Sequence, residues 1–157
     1  MSNIQYLSQE GFDKLEAELK DLKSRGRKEI AEEIAEARAK GDLSENAEYD
    51  AAKEAQGHLE DRITKLEDAL ANARVLDAND LDLSRVRVLT TVTILNKKVG
   101  KEMKYTLVSP NEADFKENKI SIDSPIGKAL MGREIGELVE VQVPAGMLEL
   151  KVLKIEV

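Results

Sequence analysis

Four carboxylate side chains fall within ten residues in the N-terminal half of the chain, in a segment that contains no Lys or Arg. This segment, residues 41–50, is called the tip below, and its acidic residues are Asp42, Glu45, Glu48 and Asp50. Hard cations such as Mg²⁺ prefer oxygen ligands, and Mg²⁺ is often held by one or two protein carboxylates together with groups of a substrate. The tip therefore has the residue types of a metal site, but too few of them to hold Mg²⁺ tightly alone.

The spacing distinguishes a leading pair among these carboxylates. Ser44 is expected to be the N-cap of a helix whose first residue is Glu45. Glu48 would share the face of Glu45, whereas Asp50 would point elsewhere. Asp42 and Glu45 could then recruit one of the two metal ions that phosphodiester hydrolysis often uses, if another protein began the site. The alternative is that both are ordinary turn and first-turn residues, which the helix dipole favours.

Apolar residues at helical spacing flank the tip on both sides and predict an antiparallel helical hairpin. They are Phe12, Leu15, Leu19, Leu22, Ile30, Ile34 and Ala37 before the tip, and Ala52, Ala55, Leu59, Ile63, Leu66, Leu70 and Ala73 after it. Ser8 is the expected N-cap of the first arm. The seam starts with coiled-coil steps and lengthens to steps of four beyond Gly26, which predicts a locally relaxed supercoil there. A dimerisation or scaffold coiled coil would show the same periodicity, although the mostly charged outer faces offer no second apolar stripe.

The composition changes at residues 77–84, which predict a linker, and β-strand patterns dominate after it. Strands are expected at residues 86–95, 101–108, 119–122, 138–143 and 148–157. Ser124 and Pro125 are typical of the start of a short helix, and Gly132 of its end. The predicted fold class is α+β: a helical hairpin over residues 1–76 and a largely antiparallel sheet with one short helix over residues 85–157.

The composition also excludes several classes of protein. The chain has no Cys and a single His, so thiolate chemistry and multi-histidine metal sites are excluded. The net charge of −7 argues against wrapping duplex DNA on a basic surface. No apolar run is long enough for a membrane span, and the N-terminus lacks a signal-peptide pattern, so a cytoplasmic protein is expected.

Basic side chains nevertheless form two local groups. Such groups are most often solvated faces or charge balance for nearby acids, but they could also contact a phosphate backbone. One group lies midway along the first arm and the other flanks the tip; they are Arg25, Arg27 and Lys28, and Arg38, Lys40 and Lys53.

Residues 41–54, GDLSENAEYDAAKE, closely resemble the signature of bacterial transcript cleavage factors of the GreA type. The resemblance covers the whole chain, because residues 6–11 (YLSQEG) are similar to the start of that family, and residues 124–132 (SPIGKALMG) and 144–146 (PAG) to its C-terminal domain. It implies an N-terminal antiparallel coiled coil and a C-terminal FKBP-like domain. The modest mid-arm basic group is more similar to GreA than to the more basic GreB type.

The family resemblance also implies a function without enzymatic activity of its own. The C-terminal domain would dock at the rim of the RNA polymerase secondary channel, and the coiled coil would reach the active centre. There Asp42 and Glu45, which match the family's acidic pair, would share Mg²⁺ with the polymerase as it cleaves the 3′ end of backtracked nascent RNA. No cofactor would be tightly bound, no membrane would be a partner, and the free protein is expected to be a monomer. Support of the tip is expected from Ser44, Asn46, Glu48 and Tyr49, and contacts with RNA or the channel from Arg38, Lys40, Lys53, Arg25, Arg27 and Lys28.

Three alternative functions stay open at this point. A relative that enters the channel only to inhibit is disfavoured by the intact acidic pair. A prolyl isomerase or chaperone is disfavoured because the C-terminal half has only Tyr105 and Phe115 to line a proline pocket. An autonomous metal nuclease is disfavoured because two carboxylates are too few to hold Mg²⁺ tightly.

Overall fold

The computed structural model describes residues 4–42 and 45–157. Within those ranges no helix is long and apolar enough to cross a membrane. Contacts divide the chain into two units: one comprises the chain up to Gly11 together with Ala73–Val157, and the other comprises Phe12–Asn72. We call the first the sheet unit and the second the helical hairpin. Long helices in one and a sheet with a short helix in the other confirm the predicted α+β class.

Two antiparallel arms form the helical hairpin. The guanidinium of Arg27 in the first arm lies 2.9 Å from the carboxylate of Glu60 in the second. Further along the first arm, the ammonium of Lys40 lies 3.0 Å from Glu48. Because the partner's number falls as the number in the first arm rises, the arms run in opposite directions. The first arm contains α1 (Gln9–Asp21), a π-helical turn (Leu22–Gly26) and α2 (Arg27–Ala39), and the second is α3 (Ala47–Ala71).

The buried seam between the arms contains larger apolar side chains and Ala69 far from the tip, and alanines near it. Interaxial distance depends on the side chains at the contact, so alanines allow the arms to approach closely beside the tip. Ala69, which the sequence pattern left out, is buried, whereas the predicted Leu70 is half-buried, because the apolar stripe is wider than one residue per turn. The buried seam residues are Leu15, Ala37, Ala52, Ile63, Leu66 and Ala69.

The first arm departs from regular α-helix at Leu22–Gly26, where it forms a π-helical turn. The sequence predicted a change of geometry close to this point, and an inserted π turn is one way a helix absorbs an irregular seam. A Cβ atom on Gly26 would lie 3.2 Å from Leu59 Cδ1 in the opposite arm. The missing side chain therefore lets the arms pack closely at this turn.

Two short strands, β1 (Gln5–Leu7) and β2 (Ala73–Val75), pair in parallel within the sheet unit. Ser109 Oγ donates a hydrogen bond to the Tyr6 carbonyl at 2.8 Å, so β1 is also tied to the C-terminal part of the chain. The helical hairpin, Phe12–Asn72, is therefore shorter than the predicted hairpin over residues 1–76. Ala73, which was predicted in the helical seam, lies in β2. The strands pair with each other instead of extending the helices.

Ser8 caps α1, which confirms its predicted role. Its Oγ accepts a hydrogen bond from Gly11 N at 2.9 Å. The Ser8 N–H and O–H both donate to the carboxylate of Glu112, at 3.0 and 2.6 Å. A Cβ on Gly11 would overlap this carboxylate. The first turn of α1 is thus anchored inside the sheet unit.

The main sheet has the strand order β5-β4-β3-β7-β6. Neighbouring strands are antiparallel except for β4 and β5, which are parallel, so the sheet is largely antiparallel as predicted. The strands are β3 (Thr91–Asn96), β4 (Lys101–Val108), β5 (Lys119–Ser121), β6 (Leu138–Val143) and β7 (Gly146–Glu156). Short 3₁₀ turns occur at Ala78–Asp80, within the predicted linker, and at Pro110–Glu112 and Phe115–Glu117.

Residues 86–90, predicted as the start of a strand, instead precede β3 as a turn. Thr90 Oγ1 donates to the Arg87 carbonyl at 2.6 Å and accepts from Arg87 N at 3.1 Å. Leu89 adopts a φ of 71°, which is uncommon for a residue with a side chain. The hydroxyl of Thr90 thus competes with the strand ladder for the backbone groups of this segment.

The helix α4 (Pro125–Leu130) packs on the apolar face of the main sheet. Ser124 Oγ accepts from Gly127 N at 3.1 Å, and Pro125 occupies the first turn, which confirms the predicted helix start. Gly127 is buried so close to the Ser121 carbonyl that a Cβ would overlap it. The buried core comprises Val86, Val92, Ile94, Leu107, Ile120, Leu130, Val139, Val141, Leu150, Val152 and Ile155.

Candidate functional site

Asp42 and Glu45 lie at the end of the helical hairpin, and both side chains are exposed. The Glu45 backbone N–H donates to the Asp42 carbonyl at 3.4 Å, so a backbone hydrogen bond links the two residues. Both line an open depression together with Glu48 and Lys40. The structure therefore brings three of the four predicted tip carboxylates to one surface, where an approaching group could reach them.

The helix after the tip begins later than the sequence predicted. Its N-cap is Asn46 and its first residue is Ala47, so Glu45 precedes the helix instead of opening it. The prediction that Ser44 is the N-cap of this helix is wrong, because Asn46 occupies that position. Ser44 itself lies outside the described residues. The shared α-helical face predicted for Glu45 and Glu48 is also wrong, because Glu45 is 3₁₀-helical and precedes α3, whereas Glu48 lies in α3. The two residues nevertheless line one depression.

Asn46 joins the two arms through its side-chain amide. Its Oδ1 accepts from Tyr49 N at 3.1 Å, which satisfies one of the unpaired N–H groups at the start of α3. Its Nδ2 donates to the Ala37 carbonyl at 2.6 Å, near the end of α2. One side chain thus closes the chain segment that contains Asp42 and Glu45.

Glu48 and Tyr49 also contact the end of the first arm. The carboxylate of Glu48 pairs with Lys40 at 3.0 Å. The Arg38 guanidinium carbon lies 5.8 Å from the centroid of the Tyr49 ring, within the range of a cation–π contact. Glu48 is therefore partly neutralised by a cation of the same chain.

The basic side chains are largely engaged by neighbouring acids or amides. Arg25 pairs with Asp21 at 2.7 Å and with Glu29 at 3.5 Å. Lys53 Nζ donates to Gln56 Oε1 at 2.9 Å. Lys28 is exposed and forms no ion pair with any residue that the structure describes. Within the mid-arm group, Lys28 is thus the cation whose charge is least neutralised by acidic side chains of the same chain.

Arg27 links the arms rather than projecting alone. It donates to Glu60 through Nε and Nη2, at 2.9 and 3.0 Å. This hydrogen-bonded pair holds the pKa of the Glu60 carboxyl below its usual range and raises the pKa of Arg27. A fork of this kind orients both side chains, so a contact of Arg27 with RNA would require the pair to open.

The described residues contain no group of three or more His, Cys, Asp or Glu side chains placed to hold a metal ion. Asp42 and Glu45 therefore form at most part of a metal site among residues 4–42 and 45–157. Their chemistry nevertheless suits Mg²⁺, because carboxylate oxygens are its usual protein ligands.

Two family models together match almost the whole chain. The model described as "Transcription elongation factor, N-terminal" matches residues 5–75, and the model described as "Transcription elongation factor, GreA/GreB, C-term" matches residues 81–157. The chain therefore belongs to the GreA/GreB family of transcription elongation factors.

Its similarity to individual members is high over the full length. The transcription elongation factor GreA of Flavobacterium johnsoniae is 56% identical over 155 residues, covering 99% of this chain and 98% of the relative. The GreA of Amoebophilus asiaticus is 54% identical, with 99% of both chains covered. Among solved structures, GreA factor homolog 1 of Thermus thermophilus is 27% identical with a TM-score of 0.46, covering 99% of this chain and 100% of that one. The family match and the two GreA relatives confirm the prediction of a GreA-type elongation factor.

Proposed function

We propose that this elongation factor stimulates the cleavage of backtracked RNA by contributing Asp42 and Glu45 to a Mg²⁺ site that RNA polymerase begins. In this proposal the hairpin enters the secondary channel of the polymerase, and the chain itself is not a nuclease. The bond that breaks belongs to the nascent RNA, near its 3′ end, and the polymerase supplies the remaining ligands.

The observation that carries the proposal is the geometry of the tip. Two exposed carboxylates, joined through the backbone hydrogen bond from Glu45 to Asp42, line one open depression at the end of a two-helix arm. Their donor chemistry fits Mg²⁺, whereas their number leaves positions for ligands from elsewhere. When bound, the ion would stabilise charge on the attacking and leaving oxygens of phosphodiester hydrolysis.

The other tip residues have supporting roles in the proposal. Tyr49 contacts Arg38 and Glu48 pairs with Lys40, so both residues stabilise the tip by contacts with the first arm. Ser44 is also proposed to support the tip. Lys28 is the mid-arm residue proposed to contact RNA or the channel, since Arg25 and Arg27 are engaged in ion pairs. We further propose that the free chain is a monomer without a tightly bound cofactor.

The proposal is tested on a stalled, backtracked elongation complex. Wild-type protein is compared with Asp42→Ala and Glu45→Ala in the rate of RNA cleavage at saturating factor. Asp50→Ala is the matched control, because Asp50 is an exposed carboxylate in the same tip, within the first turn of α3. We expect each of the first two variants to lose at least about tenfold in rate, since mutating even the outer partners of metal ligands typically costs about 10- to 100-fold. Asp50→Ala should retain most of the wild-type rate.

Two results would contradict the proposal. Cleavage by Asp42→Ala and Glu45→Ala at the wild-type rate would exclude the role of the pair. Degradation of RNA by the factor and Mg²⁺ without polymerase would show that the chain is itself a nuclease. Competition of each variant with labelled wild-type protein for polymerase separates lost binding from lost cleavage.

A further inference from the structure

The side chain of Asn46 performs two tasks that a shorter or charged side chain cannot combine. It accepts from Tyr49 N at the start of α3 and donates to the Ala37 carbonyl at the end of α2. The geometry fixes which end of the amide is which, because the reversed amide would set an oxygen against the Ala37 carbonyl oxygen. An amide is therefore required at this position.

We infer that Asn46 is the positioning residue of the acidic pair: its inter-arm hydrogen bond holds the turn in which Asp42 and Glu45 act. This inference rests on the proposed function of that pair. The contact with Ala37 closes the chain from the last turn of α2 to the first residue before α3. Asp42 and Glu45 both lie within the closed segment, and Glu45 is the immediate neighbour of Asn46.

The donation to Ala37 has few substitutes at this site. Ala37 is buried in the seam and its carbonyl is among the last four of α2, which have no partner inside the helix. Lys40 N also points to this carbonyl, but at 3.3 Å, compared with 2.6 Å for Asn46 Nδ2. A side chain without the amide N–H loses the hydrogen bond to the Ala37 carbonyl of the first arm. It can still cap α3 if it keeps an acceptor for Tyr49 N.

Substitutions of Asn46 can separate capping of α3 from positioning of the acidic pair, because Asn, Asp and Ser are similarly good N-caps. Asn46→Asp keeps an acceptor for Tyr49 N but has no donor for Ala37. Asn46→Ser keeps the cap without adding a negative charge beside the acidic pair. Both variants therefore preserve the start of α3 and remove the tie between the arms.

Asn72→Asp is the matched control. Asn72 Nδ2 donates to the Asp68 carbonyl at 2.9 Å at the other end of α3, so this substitution removes an amide donor from a helix end of the same arm. It leaves the tip untouched. Any general loss of hairpin stability should therefore appear in this variant without a change in the cleavage site.

The experiment measures cleavage by the stalled complex as a function of Mg²⁺ concentration and of factor concentration, with helix content followed by circular dichroism. We expect Asn46→Asp and Asn46→Ser to need about tenfold more Mg²⁺ for half-maximal cleavage, a change equivalent to about 1.4 kcal/mol and within the range for one lost hydrogen bond. The factor concentration for half-maximal cleavage should stay within about twofold of wild type. Asn72→Asp should match wild type in both titrations.

Three outcomes would overturn the inference. One is an unchanged Mg²⁺ titration for both Asn46 variants, and another is an equal shift in Asn72→Asp. The third is a shift confined to Asn46→Asp, which would be an effect of the added charge. Asp42→Ala is included in the same series: if it loses cleavage while the Asn46 variants do not, only the positioning role fails, and if it retains cleavage, the proposed function fails.

Discussion

Gly57 occupies the interior of α3, where glycine is an unfavourable residue. It lies well inside Ala47–Ala71, its position is exposed, and a Cβ built on it would have no neighbour within 4 Å. Replacing Gly by Ala at such a position gains about 0.8–1.0 kcal/mol of helix propensity. Because no contact opposes the methyl group, nearly all of this gain should appear in the free energy of unfolding of the hairpin.

Urea unfolding followed by far-UV circular dichroism measures this gain in Gly57→Ala. The hairpin spans roughly sixty residues, so the same change should raise its melting temperature by about 4–8 °C if it melts as its own unit. Cleavage stimulation should not change, because Gly57 belongs to neither the tip nor the buried seam. The effect on stability can therefore be separated from function.

Two other glycines of the hairpin provide graded controls. Gly26→Ala should gain less, since its Cβ would lie 3.2 Å from Leu59 Cδ1 and that side chain must shift. Gly41→Ala should lose stability, because Gly41 has a φ of 157°, outside the range that side chains adopt easily. The reasoning is refuted if Gly57→Ala is no more stable than wild type, or if Gly26→Ala gains more.

Two further predictions concern packing and pH. Gly127→Ala should destabilise the sheet unit by about 1–3 kcal/mol in thermal melts, since its Cβ would overlap the Ser121 carbonyl; an equal loss for the exposed neighbour Lys128→Ala would contradict this cause. The hydrogen-bonded ion pair with Arg27 lowers the folded-state pKa of Glu60 below its ordinary value of 4.5. The stabilising effect of this ion pair should therefore be present above pH 4.5 and be lost as the pH falls through the lowered pKa. Glu60→Gln should therefore be less stable than wild type at neutral pH and equal to it in strong acid, and a difference that persists there would exclude the ion pair as its cause.

The elements that the sequence predicted well are those with a local signal. A 3.6-residue apolar period marks both arms, and a period of two marks strands such as β4 and β6. Ser124 and Pro125 mark the start of α4 by their own backbone chemistry. β1 and β2 have no such signal, because each spans only three residues and its partner is distant in sequence. Their pairing joins two segments that lie on either side of the hairpin in the sequence, which no local pattern encodes.

The start of α3 shows a different limit of sequence reasoning. Ser44 and Asn46 are similarly good N-caps, so propensity alone could not choose between them. Asn46 is the N-cap in the structure, and its side-chain amide also donates to the Ala37 carbonyl in the other arm. The pairing of Glu48 with Lys40 was equally hidden, since these residues lie on opposite sides of the turn and follow no helical spacing. The contacts of Asn46 with Ala37 and of Glu48 with Lys40 thus determine which tip residues are held against the first arm.

The bracing of Glu48 has a consequence for the proposed metal site. Lys40 pairs with Glu48, one of the three carboxylates in the depression, and Asp42 and Glu45 are the other two. While both are exposed to water, their attraction for Mg²⁺ is weak, because charges interact weakly in a medium of high dielectric constant. The same carboxylates would attract the ion more strongly once a partner excludes water around them. Under the proposed function, the exposure of the pair in the free chain therefore delays metal binding until the tip reaches the polymerase.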